Sequence, residues 1–83
     1  MNAKELSPIA IDDTGGYTVR IDYDGSNNPI YIGKADIATV TATPLWQIQK
    51  LTYTGSNLTS VTWADGNDSF DNVWDNRASL TYV

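Results

Sequence analysis

The chain has no cysteine and no histidine among its 83 residues. The first absence rules out disulfides and thiolate metal sites. The second removes the commonest metal ligand and the commonest general base. Basic residues are few: five Lys and Arg against ten Asp and Glu give a net charge of −5 and a pI near 4.1. Phosphate backbones are held by Lys and Arg, and the five here are scattered, so neither nucleic acid nor an anionic membrane is an expected partner. No apolar run approaches the roughly 20 residues needed to span a bilayer. The start, MNAKELSPIAI, lacks the long apolar core of a secretory signal, so the expected setting is a cytoplasm.

A length of 83 residues allows one domain with a modest core. Chains of this size often need a staple or a partner subunit. Ile, Leu, Val and Phe total only 18 residues, but three Trp and five Tyr add large apolar area. An aromatic core, or aromatics at an interface, follows. No cofactor is implied.

Residues 1–16 read as an N-terminal arm closed by the Gly15-Gly16 turn signal, and 17–83 as a single small β domain. YTVRIDY (17–23) alternates strictly, with Tyr17, Val19, Ile21 and Tyr23 on one face and Thr18, Arg20 and Asp22 on the other. DGSNNP is a polar turn and IYIGK (30–34) a second strand, so the two form a β-hairpin. Residues 35–44 are small and Thr-rich, and fit an edge strand or a loop.

LWQIQKLTYT (45–54) and LTSVTWA (58–64) flank a second turn. A four-residue TGSN loop sets Tyr53 opposite Leu58, Ile48 opposite Trp63 and Lys50 opposite Val61. Trp46, Ile48, Val61 and Trp63 then share one face. In 65–77, Phe70, Val73, Trp74 and Arg77 fall at helical spacing, with Asp68, Asp71 and Asp75 opposite. Asp68 fits an N-cap there. This predicts a short helical turn near 69–76, and ASLTY (78–82) returns to a strand. The expected fold is mostly β: a small antiparallel sandwich or partly open barrel of about five or six strands. Trp46, Ile48, Trp63, Phe70, Trp74 and Tyr82 are its expected structural or interface anchors.

Two acidic stretches invite a chemical reading. DYDGSNN (22–28) suggests a calcium loop through Asp22 and Asp24. Yet Gly25 comes two residues early for the helix-loop-helix pattern, and the twelfth position is Gly33 in place of a bidentate Glu. A hairpin turn explains Asp24-Gly25 better. WADGNDSFDNVWDN (63–76) holds Asp65, Asp68, Asp71 and Asp75. Oxygen ligation of a cation through Asp65 and Asp68, or carboxylate acid–base chemistry, both require convergence. Helical spacing instead spreads the carboxylates over one solvated face. No catalytic residues are assigned. Asn57-Leu58-Thr59 and Asn67-Asp68-Ser69 match the glycosylation sequon, but without a signal segment they read as turn residues.

Three runs together carry a resemblance: IDDTGGYTVRIDYDGSNNPIYIGKA (11–35), WQIQKLTY (46–53) and WADGNDSFDNVWDNRASLTY (63–82). They resemble a group of short proteins encoded in tailed-bacteriophage genomes, many regarded as virion components or uncharacterised. The resemblance covers most of the chain and is most specific around WADG and FDNVWDNRASLTY. It implies a non-enzymatic structural or accessory protein of the capsid, neck or tail, located in the virion and assembled in the host cytoplasm. Other virion proteins and copies of itself are the implied partners; the small size and aromatic content make residues 1–14, the 36–44 segment or the aromatic face the expected contacts. The alternative is a small carbohydrate-binding module contacting host-surface glycans through Trp46, Trp63 and Trp74. A hydrolase using Asp65, Asp68 or Asp71 is the third reading, and no nucleophile motif accompanies it.

Overall fold

The computed structural model describes residues 16–83. The expected arm, 1–16, lies outside the described residues except for Gly16. Four strands form an antiparallel meander in the order β1-β2-β3-β4: β1 (Tyr17–Tyr23), β2 (Pro29–Asp36), β3 (Pro44–Thr54) and β4 (Asn57–Trp63). A two-residue fifth strand, β5 (Asn72–Val73), pairs with the start of β3, and a 3-10 helix runs from Trp74 to Ser79. The sheet is not closed. One face is covered by the C-terminal segment.

Local chemistry explains the turns. After β1, the Asp24 carboxylate accepts the backbone N–H groups of Ser26 (2.7 Å) and Asn28 (3.0 Å). Asn27 takes φ 65°, a conformation Asn tolerates. Gly55, at φ 62°, opens the short turn between β3 and β4. Residues 37–43 form the loop that joins β2 to β3, the second of the two readings left open for 35–44, while Ala35 and Asp36 extend β2 and Pro44 begins β3.

Small residues decide which face is covered. Tyr31, Gly33 and Ala35 of β2 point to the same side as Trp46 and Ile48 of β3. Gly33 and Ala35 leave a hollow, and Trp74 fills it. Trp46 is fully buried (0% exposed) and Trp74 nearly so (5%), with ring centroids 6.0 Å apart. Ile48, Ala64, Tyr31 and the partly buried Ile30, Leu80 and Tyr82 complete the cluster. The polar ends of the aromatics are satisfied. The Trp46 indole donates to Val40 O (3.1 Å) and the Tyr82 hydroxyl to Arg77 O (2.8 Å). Each buried side chain of this kind contributes roughly 1.5–3 kcal/mol by its removal from water.

The second hairpin departs from its expected register. Tyr53 does face Leu58, but a bulge then intervenes. Thr59 is the extra residue, and its hydroxyl donates to Thr52 O (3.1 Å). Beyond it Val61 faces Leu51 and Trp63 faces Gln49, not Lys50 and Ile48. One inserted residue sends every later side chain to the other face. Val61 and Trp63 therefore leave the Trp46–Ile48 face.

The helical turn also lies later than expected. It begins at Trp74, its N-cap is Val73, and no side chain caps it. Asp68 is six residues upstream, and its carbonyl accepts the Gln47 amide (2.8 Å). Phe70 is outside the helix, and Val73 belongs to β5. Residues 80–83 do not form a full strand. They make an isolated bridge between Ala64 and Tyr82, flanked by Trp63–Val83 and Asp65–Thr81 backbone bonds.

Candidate functional site

The face of the sheet away from Trp46 and Trp74 is the candidate interaction surface. Strand alternation places Tyr17, Val19, Ile21 and Tyr23 of β1 on it, with Ile32 and Lys34 of β2. β3 contributes Leu45, Gln47, Gln49, Leu51 and Tyr53, and β4 adds Val61 and Trp63. The clean alternation of YTVRIDY thus marks this open face, while its polar half lies on the covered side. Leu51 is buried at the centre. Around it Tyr23 (55% exposed), Ile21 (39%) and Val61 (43%) remain accessible to water.

One end of this face is built by the loop before β5. Asp65 and Gly66 both take positive φ (60° and 72°), forming a tight turn closed by Asn67 N–H to Ala64 O (3.4 Å). The loop then carries Phe70 onto Tyr17, stacked at 5.9 Å between centroids and 18° between planes. The Lys34 ammonium sits 4.7 Å from the same Tyr17 ring. Tyr17, Asp36, Leu45 and Phe70 line a hollow of about 170 Å³. Lys34 and Asp36 are the two charged residues that the strands place on this face, and the loop adds the exposed Asp65, Asp68 and Asp71 at its end.

The sequence-predicted anchors therefore divide. Trp46, Ile48, Trp74 and Tyr82 meet in the covered core. Trp63 and Phe70 sit on the opposite face. The acidic candidates do not come together. The Asp22 carboxylate accepts Arg77 Nε at 2.9 Å, and Asp24 is occupied by its own turn. Those turn N–H groups, Asn28 first and then Ser26, hold the Asp24 carboxyl below the usual carboxylate range. Asp65 and Asp68 are exposed in the loop. No group of three carboxylates converges among the described residues. Burial, with Tyr31 nearby, pushes the Tyr82 phenol upward and keeps it protonated as the donor to Arg77 O.

A groove of about 480 Å³ runs along β1, lined by residues 18–22, Trp74 and Arg77. The Arg77 guanidinium stacks over the Trp74 ring at 4.6 Å and forms part of its wall. This groove is not evident from the sequence. Its signal was present in Arg77 at three residues from Trp74, but the partner strand was not legible.

Compared with protein-family models, with curated proteins and with solved structures, the chain matches none.

Proposed function

We propose that the chain is a non-enzymatic structural or accessory subunit of a tailed-phage particle that works through repeated protein–protein contacts. The observation that carries this reading is the pair of unlike faces. One is closed over by the protein's own Trp74 segment. The other presents Tyr17, Ile21, Tyr23, Val61 and Phe70 to solvent. Apolar surface of this kind is what an assembly contact uses. The sequence resemblance supplies the particle. The Asp22 carboxylate on the covered side is held by Arg77, which suits a scaffold.

A glycan-binding reading is less well supported. Two of the three indoles are interior, leaving Trp63 beside Gln47 and Gln49 as the available platform. Quantitative mass spectrometry of purified particles tests the proposal. Many copies of the chain per particle are expected, and consistent absence from the particle would contradict it.

A further inference from the structure

The groove along β1 lies beside an outer strand edge. β1 is the outer strand of the meander, and among the described residues nothing pairs with its free edge. The edge of β4 differs, because Val83 exchanges two backbone hydrogen bonds with Trp63 there (3.2 and 3.1 Å). An unpaired edge is a template for another strand. The side chains of β1 specify which strand. On the groove side they read Thr18, Arg20, Asp22, and on the open face Tyr17, Val19, Ile21, Tyr23.

We infer that two copies of this chain join edge to edge through β1, antiparallel, about a twofold axis at Ile21. In this register Arg20 faces Asp22 of the partner subunit, and Asp22 faces Arg20 of the partner subunit. Val19 faces Tyr23 of the partner subunit, and Ile21 faces itself. The pattern YTVRIDY is thus its own complement, as an isologous contact requires. Moving the axis to Arg20 or to Asp22 sets like charges directly opposite, which is unfavourable. Charges on an edge strand also serve to block pairing. Here a cation and an anion stand two residues apart on one side, so self-pairing turns that block into attraction. Asp22 keeps Arg77 on Oδ2, which leaves Oδ1 for Arg20 of the partner subunit. The product joins the two four-stranded meanders into one sheet whose open apolar faces are continuous across the axis. This rests on the assembly reading above and gives it a first building block.

The test is sedimentation velocity of the full chain over a concentration series, with three variants. The wild type is expected to dimerise. Arg20→Asp and Asp22→Arg are each expected to weaken the dimer at least tenfold, because each puts like charges across the axis. An equimolar mixture of the two is expected to dimerise again, since both cross-axis pairs are then opposite in sign. The chain has no cysteine, so Ile21→Cys introduces a unique thiol, expected to crosslink on mild oxidation into a covalent dimer. A wild type that stays monomeric throughout overturns the inference. A dimer insensitive to Arg20→Asp and without an Ile21→Cys crosslink also overturns it, while leaving repeated contacts through another surface intact. If Asp22→Arg melts early through loss of Arg77, the Arg20→Asp and Ile21→Cys results decide.

Discussion

Gly33 lies directly beneath the indole of Trp74. A β-carbon at position 33 would overlap the Trp74 ring and come within 3.2 Å of Trp46 Cε3. The glycine is there for space, since both indoles press on the middle of β2. Gly33→Ala is therefore expected to destabilise the fold by about 1–3 kcal/mol, the usual cost of overpacking a tight interior. Urea unfolding measures this, and Gly33→Ala combined with Trp74→Phe should recover part of the loss.

Trp74 itself is the anchor of the C-terminal segment. Trp74→Ala is expected to cost roughly 3–5 kcal/mol, as for a buried aromatic. Asp75→Asn, in an exposed residue, should change stability by no more than about 0.5 kcal/mol. Asp71→Asn should behave alike, because an amide oxygen can still accept from Asn72 (3.2 Å here). Thermal melts with and without calcium check both statements. A large aspartate effect rescued by calcium would contradict the reading of these residues as solvent-exposed groups without a ligand role.

Arg77 joins Asp22 of β1 to the covered face, though both side chains are about one-third exposed. The ion pair alone is expected to contribute under about 1 kcal/mol. The Trp74 stack adds a further 0.5–1 kcal/mol or so. Arg77→Ala should therefore cost more than Asp22→Asn, and Arg77→Lys should fall between. Denaturant midpoints of the three variants, compared at one pH, give the order.

Asp24 makes the first hairpin sensitive to acid. Its folded pKa is depressed by the Asn28 and Ser26 N–H groups. Its contribution is thus present above the unfolded value of about 3.9 and fades as pH falls through the lower folded value. NMR titration should place Asp24 below an ordinary aspartate. In Asp24→Ala that part of the acid-induced loss should vanish.

Much of the fold was legible in the sequence. Polar turns at DGSNNP and TGSN placed the hairpins, and alternation grouped the side chains of each strand. Period two, however, tells only which residues share a face. It does not say which face is covered. In β1 the apolar half proved to be the open one, because Gly33 and Ala35 made room for Trp74 on the other side. The Thr59 bulge was equally hidden. Nothing local distinguishes a strand with one extra residue, yet that residue carried Val61 and Trp63 away from the core. Phe70 looked like a helical neighbour of Trp74 by spacing alone. The tight turn at Asp65-Gly66 and the pairing of β5 with β3 put the two rings on opposite sides of the sheet.

The most direct test of the assembly role is incorporation into particles by a chain whose open face carries new charge. Leu45→Asp and Val61→Asp change exposed positions of the open face, away from the β1 edge, so circular dichroism and melting should remain near the wild type. The account predicts that the doubly substituted chain, supplied during infection, is largely excluded from purified particles. Incorporation at the wild-type level by that folded variant would contradict it.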